Sequence, residues 1–288
     1  LQDGIGSGDR AVIDAYKRLL AETAGQTTAS LSRAYVTAYI AGVHDEATWP
    51  QALTLVGNEL ANGALPVFLV EDVLVELEDP FTAGELLGTL DAFKGDGWPE
   101  GERDRLAGEI EKRQYEFVAA TLRRTKEMNS ADAAREYSAT LEKCYMYIET
   151  FPNGRYLPHV ECQKACFKYR LKDYVGALEG AKAFLQNHSG SAFVPNMLLL
   201  EGMAMVRQNG GEAGIAVLSG VAEKYPQSAA APQALYEAAN ARLASNGYGQ
   251  AREYFQRLVD FYPEHELALK AREIMNAVSS SSTGQGVK

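Results

Sequence analysis

The sequence predicts an all-α protein built as a right-handed superhelix (a solenoid) of antiparallel helix hairpins that recur every 37 residues. Two observations predict this fold. The first is a connector of an aromatic or His followed by Pro or Ser, which recurs at Phe151-Pro152, His188-Ser189, Tyr225-Pro226 and Tyr262-Pro263. The second is two series of small residues in the same register, namely Ala165, Gly202 and Ala239, and Ala177, Gly214 and Ala251. Self-similarity at a fixed interval of this length is typical of stacked repeats.

Within one repeat the residue pattern predicts a helix, a turn and a second helix. In the last complete repeat, apolar residues fall at helical spacing from 232 to 244, and Pro232 is suited to a first helical turn, where its missing N–H needs no partner. Asn246-Gly247 then predicts a break, and a second helix is expected from about Gly249 to Tyr262-Pro263.

The small residues predict where the two helices of a hairpin cross. Only Ala or Gly lets two helix backbones approach closely, because a larger side chain would overpack the crossing at a cost of about 1–3 kcal/mol. Gly202 and Gly214 stand inside predicted helices despite a propensity penalty of about 1 kcal/mol each relative to Ala. We therefore expect interlocked hairpins.

The chain divides into four predicted segments. A flexible leader covers residues 1–8, an amino-terminal helical region covers 9–101, repeats with a closing helix at 266–277 cover 102–277, and a disordered tail covers 278–288. The loop at 94–101, which contains Gly95, Gly97 and Pro99, predicts the boundary before the repeats. The helices predicted for the amino-terminal region are 10–23, 28–43, 50–62, 66–77 and 80–93.

Charge argues against nucleic-acid binding, and hydropathy argues against a membrane-spanning helix. The net charge is −10, and residues 1–103 hold 17 acidic but only 6 basic side chains, which argues against nucleic acid because phosphates need a basic surface. No apolar run approaches the ~18 residues that a membrane-spanning helix needs. Any signal sequence or lipid-bearing residue would lie upstream of Leu1.

Reactive side chains are few, and neither a catalytic site, a metal site nor a cofactor site is predicted. The four histidines lack ligand spacing for zinc. Cys162 and Cys166 share one helix face, which suits metal binding or oxidation, whereas their register with Leu199 and Met203 favours packing. The densest acidic cluster, at 71–79, suits the solvated face of an amphipathic helix.

The repeat pattern resembles the tetratricopeptide repeat family, whose helix-turn-helix unit carries small residues at the two positions described above. Tyr174 and Tyr248 match the family's turn aromatic, whereas Gly211 departs from it, and the 37-residue interval is three longer than the usual unit of about 34. The connectors at Phe151 and Tyr225 are similar to those of tetratricopeptide lipoproteins and periplasmic proteins of the bacterial envelope. The resemblance covers about residues 130–276.

The resemblance implies that the first helices of successive repeats line a concave groove that takes a peptide or a partner helix. The residues expected to bind the partner there are His159, Tyr169, Arg170, Asn196, Met203, Arg207, Tyr236 and Asn240. Tyr offers rigid contact area, Arg and Asn supply donors, and Met adapts its shape. The alternative occupant is a neighbouring domain or the chain's own tail.

We therefore expect a non-enzymatic scaffold that binds a protein or peptide partner in bacterial envelope assembly or maintenance. The expected location is periplasmic or associated with the outer membrane, with the cytoplasm as the alternative. A different class of function is an enzyme whose active site lies in the acidic amino-terminal helices and which uses the repeats for docking. Perturbed carboxylates in an acidic cleft would favour the enzyme.

Overall fold

The computed structural model describes residues 74, 79–94, 97, 100–208 and 211–283, with side chains up to 277. Within these residues the protein is all-helical and contains no strand, which confirms the predicted all-α class. The helices are α1 (Pro80–Lys94), α2 (Glu102–Arg124), α3 (Ser130–Thr150), α4 (Leu157–Arg170), α5 (Tyr174–Asn187), α6 (Val194–Arg207), α7 (Gly211–Lys224), α8 (Ala230–Ala244), α9 (Tyr248–Phe261) and α10 (Glu266–Thr283). A short 3₁₀ turn, Thr125–Glu127, follows α2.

The described residues fall into two compact units. One contains residues 79–94, 100–117 and 145–154, and the other contains 118–144 and the chain from 155 onward. Within the first unit, α2 packs against α1. The side-chain amide of Gln114 donates to the carbonyl oxygen of Pro80 at 2.9 Å, and the rings of Phe81 and Phe117 meet edge to face at 5.5 Å.

The first unit also contains a buried polar contact between α2 and the end of α3. The hydroxyl of Tyr147 donates to a carboxylate oxygen of Glu111 at 2.6 Å. Gly154 lies directly against this pair, since a Cβ there would stand 2.5 Å from Glu111 and 2.8 Å from the Tyr147 hydroxyl. The other predicted helices of the amino-terminal region, at 10–77, and the leader at 1–8 lie outside the described residues apart from Leu74.

Helix hairpins follow one another at even intervals in the second unit. The second helices α5, α7 and α9 begin at residues 174, 211 and 248, and each helix packs against the next along the chain. Pro158 and Pro195 stand in the first turns of α4 and α6, as expected for a residue without an N–H. Successive helices of this unit therefore pack as antiparallel neighbours, consistent with an all-α repeat.

Each hairpin packs against the first helix of the next through a separate core cluster. One cluster joins α4, α5 and α6 through Cys162, Ala181 and Met197, among others. A second joins α6, α7 and α8, and a third joins α7, α8, α9 and α10. The core is thus a series of nearest-neighbour interfaces, the arrangement that gives repeat arrays their stability.

The close crossing predicted from the small residues is present between α6 and α7. A Cβ added to Gly202 would lie 2.7 Å from a carbon of Leu218 and 3.0 Å from the Gly214 carbonyl oxygen. The equivalent Ala165, Ala177, Ala239 and Ala251 are buried with at most 1% of their surface exposed. The glycines are required here because backbone meets backbone.

Two of the turns inside the hairpins use a residue in the left-handed conformation. Lys172 has a φ of 65° and Asn246 a φ of 60°, and the two positions are two repeat intervals apart. The side chain of Asp173 then caps α5 by accepting from the Gly176 N–H at 2.9 Å. Asn adopts this conformation readily, whereas a side chain such as that of Lys is strained in it.

We predict that Lys172→Asn raises the free energy of unfolding by about 0.5–1 kcal/mol, because it places a tolerant residue at the left-handed position. Lys172 is exposed, so the loss of its charge contributes little. Urea denaturation measures the change. As a matched control, Lys182→Asn removes an exposed Lys from the interior of α5 and should lower stability slightly through helix propensity. A lower stability for Lys172→Asn would contradict the prediction.

The connector residue His188 packs on an aromatic ring, as the sequence predicts. The ring of His188 packs 4.9 Å from that of Phe184, as expected for the connector position, and its Nε2 also lies 2.6 Å from Glu161.

The closing helix α10 runs to Thr283, whereas the sequence predicts that it ends at 277 and that a disordered tail begins at 278. Serine has moderate helix propensity, so the run of serines after Val278 does not stop the helix.

Candidate functional site

The first helices of the hairpins form one continuous layer. Helix α4 contacts α6, α6 contacts α8, and α8 contacts α10. In the described part of the chain, the second helices α5, α7 and α9 make no comparable contact with one another. We call the surface that α4, α6 and α8 present the first-helix face, and all eight predicted binding residues lie on these three helices.

All eight predicted binding residues reach the surface at least in part, and they fall into two groups. Three are exposed: Arg170, Asn196 and Arg207. Five are half-buried: His159, Tyr169, Met203, Tyr236 and Asn240. The exposed residues are free to meet a partner, whereas each half-buried one also packs within the fold.

Arg207 stands at the centre of a polar cluster that draws on three first helices. A hydrogen bond with the side chain of Tyr169 on α4 is the largest cause that raises the pKa of Arg207, and Tyr174 and Glu237 add to the increase. The rings of Tyr169 and Tyr174 meet edge to face at 5.2 Å. Arg207 thus has a hydrogen-bond partner on α4 and a carboxylate of opposite charge on α8 in its neighbourhood.

Glu237 on α8 is a member of this cluster that the sequence does not indicate. Burial raises its pKa, and the positive charge of Arg207 acts in the opposite direction. Its register is that of Gln163 and Leu200, so it is an acid where the other repeats carry uncharged residues. That departure from the repeat pattern is the signal that could have identified it.

Two of the predicted residues contribute mainly through their rings. Tyr236 packs against the core cluster of the last hairpin, and its ring lies 5.9 Å from that of Phe255 in an edge-to-face arrangement. His159 packs edge to face on Phe193 at 4.8 Å, and burial lowers the pKa of the imidazole. Both rings are thus fixed by packing and remain partly accessible to a partner.

The acidic cluster expected at 71–79 lies outside the described residues except for Asp79. The Asp79 carboxylate accepts hydrogen bonds from the Thr82 backbone N–H at 3.2 Å and from its hydroxyl at 2.8 Å, so it caps α1. Within the described residues, no group of three or more His, Cys, Asp or Glu side chains is placed to hold a metal ion.

The helices of the described residues include none whose length and apolar character would let it cross a bilayer. No protein-family model matches the chain, and no curated protein matches it significantly.

Proposed function

We propose that the protein is a non-enzymatic scaffold of the tetratricopeptide type, and that it binds a peptide or helix of a protein partner on its first-helix face. The observation that carries the proposal is that the first helices contact one another from hairpin to hairpin, while the second helices of the described residues make no comparable contact. In an array of hairpins this places the first helices on the inner side of a curve, the surface that repeat proteins use for binding. The right-handed superhelix and the 37-residue unit are parts of the same proposal.

The chemistry of the first-helix face supports a peptide as the ligand. Exposed Arg170 and Arg207 end α4 and α6 at equivalent positions, and Tyr169, Met203 and Tyr236 are half-buried residues on the same three first helices. Arg and aromatic residues are the side chains that most often dominate the binding energy at protein interfaces. The arginines offer donors to partner carbonyl or carboxylate groups, and the aromatic edges offer apolar contact area.

The cellular location is proposed from the connectors alone, which are similar to those of envelope lipoproteins and periplasmic proteins. We propose that the scaffold acts on the periplasmic side of a bacterial envelope, in assembly or maintenance. Fractionation of the host cell, followed by detection of the chain in the periplasmic or outer-membrane fraction, tests this part. Recovery in the cytoplasm would contradict it without affecting the proposed mode of binding.

Site-specific photo-crosslinking in the host cell tests the binding surface. A photoreactive amino acid at Asn196, which is exposed on α6, is expected to form a crosslink to a discrete partner. The matched control places the same amino acid at Ala216, which is exposed on the second helix α7. Equal crosslinking from both positions, or crosslinking from Ala216 alone, would contradict the proposal.

Arg207→Ala is expected to weaken binding of the crosslinked partner segment by at least about 2 kcal/mol, roughly 30-fold, because arginine anchors dominate such interfaces. The free energy of unfolding should change by no more than about 0.5 kcal/mol, because the side chain is exposed. Titration of a synthetic peptide of that segment measures the affinity. Arg252→Ala, at an exposed position on the second helix α9, is the control and should leave binding unchanged. An unaltered affinity for Arg207→Ala would exclude Arg207 from the binding surface.

A further inference from the structure

Few charged side chains on the first-helix face are exposed. Helices α4, α6 and α8 together carry five Lys or Arg and three Glu residues. Six of these eight residues are half-buried, and the two that are exposed are Arg170 and Arg207. The exposed charge of these three helices is therefore entirely positive, although the net charge of the chain is −10.

The two exposed arginines occupy equivalent places on neighbouring helices. Arg170 is the last residue of α4 and Arg207 is the last residue of α6, one interval of 37 residues later. The hairpins are antiparallel, so α4 and α6 run in the same direction, and these two helices contact one another. Both arginines therefore lie at the same end of the first-helix face.

Neither arginine forms a salt bridge with a carboxylate of the described residues. On the second helices, by contrast, Arg257 of α9 pairs with Glu223 of α7 at 3.5 Å. Glu237 contributes to the electrostatic field at Arg207 but makes no salt bridge with it. Two neighbouring cations without a salt-bridge partner repel one another, and a ligand with negative charge removes this repulsion.

We propose that the first-helix face takes an acidic segment of the partner, with at least two Asp or Glu side chains that bind Arg170 and Arg207. This inference rests on the proposed function and adds the chemistry of the ligand. A guanidinium binds a carboxylate through two parallel N–H···O hydrogen bonds, so each arginine takes one carboxylate group. Two acidic side chains therefore suit the pair of arginines better than the single carboxylate at the end of a chain.

A peptide selection on the full chain tests the chemistry of the ligand before the partner is known. Random peptides displayed on phage are selected on the immobilised protein, and the recovered peptides should be enriched in Asp and Glu and depleted in Lys and Arg relative to the starting library. One recovered peptide, labelled with a fluorophore, then serves as the acidic probe. Raising the ionic strength from about 0.01 M to about 0.15 M shortens the screening length from about 30 Å to about 8 Å and should weaken binding of this probe at least about threefold.

Charge reversal tests the two arginines themselves. The double variant Arg170→Glu/Arg207→Glu should bind the acidic probe at least about 100-fold more weakly, because like charges replace opposite ones. A second probe, in which Lys replaces each acidic residue, should bind this variant more tightly than it binds the original chain. The matched control is Lys182→Glu/Arg252→Glu, which makes the same change in net charge at exposed positions of the second helices α5 and α9 and should leave the affinity for the acidic probe nearly unchanged. Equal affinity of the Arg170→Glu/Arg207→Glu variant and the original chain for the acidic probe would overturn the proposal.

Photo-crosslinking with the recovered peptides separates this inference from the proposed function. The photoreactive amino acid at Asn196 should crosslink to the acidic probe, whereas the same amino acid at Ala216 should not. Recovered peptides that crosslink from Asn196 without any enrichment in acidic residues would overturn the acidic ligand and leave the proposed function standing. Crosslinking of acidic peptides from Ala216 alone would contradict both. A crosslink from Asn196 to the acidic amino-terminal region of the same chain would identify an internal occupant and overturn the inference of an acidic partner.

Discussion

Gly214→Ala is expected to lower the free energy of unfolding by about 1–3 kcal/mol, the usual cost of an overpacked site. The added Cβ would stand 2.8 Å from the Gly202 carbonyl oxygen and 2.9 Å from the Val206 backbone nitrogen. Neither of these backbone atoms can rotate away as the end of a flexible side chain could. Helices α6 and α7 must therefore move apart, although alanine favours a helix by up to about 1 kcal/mol over glycine.

The matched control for this prediction is Gly220→Ala in the same helix α7. Nothing lies within 4 Å of a Cβ at Gly220, so the change should raise stability by up to about 1 kcal/mol through helix propensity alone. Chemical denaturation of the two variants measures both effects. If the crossing is close, glycine-to-alanine substitution should lower the free energy of unfolding at position 214 and raise it at position 220. A gain in stability at both positions would show that the helices can separate at little cost.

Repetition made the hairpins predictable from the sequence. Gly202, Gly214 and the equivalent alanines mark, in pairs, the predicted crossing within each hairpin. Three copies of the pattern locate the helices better than any single copy could. The aromatic connectors add a second marker in the same register. The packing of α2 against α1 could not be predicted in this way, because the contact between Gln114 and Pro80 occurs once and belongs to no repeat.

The candidate site was less predictable than the hairpins, because a helical register indicates which face a residue occupies but not how far its side chain reaches. Tyr236 occupies the first-helix face, yet its ring extends sideways to Phe255 on α9. Glu237, one residue later, reaches the neighbourhood of Arg207 from a position that is apolar or uncharged in the other repeats. Both outcomes depend on the tertiary arrangement of three helices, which the sequence pattern does not contain.

Phe255→Ala is expected to lower the free energy of unfolding by about 3–5 kcal/mol, because it removes a large aromatic side chain from a packed core. Phe255 is 1% exposed and packs with Leu235 and Leu258 in the cluster that joins α7, α8, α9 and α10. Its ring also supports that of Tyr236 from α9. Phe261→Ala is the control, since Phe261 lies at the end of the same helix with 71% of its surface exposed, and it should change stability by no more than about 0.5 kcal/mol.

The location of the loss tests the nearest-neighbour character of the core. Each cluster joins one hairpin to the first helix of the next, so the cavity left by Phe255 should weaken α8, α9 and α10 directly. Helices α4 and α5, whose cluster is a different one, should keep most of their protection. Amide hydrogen exchange followed by mass spectrometry measures this helix by helix. Uniform loss of protection from α4 to α10 would contradict this expectation, because it would mean that the hairpins unfold as one cooperative body.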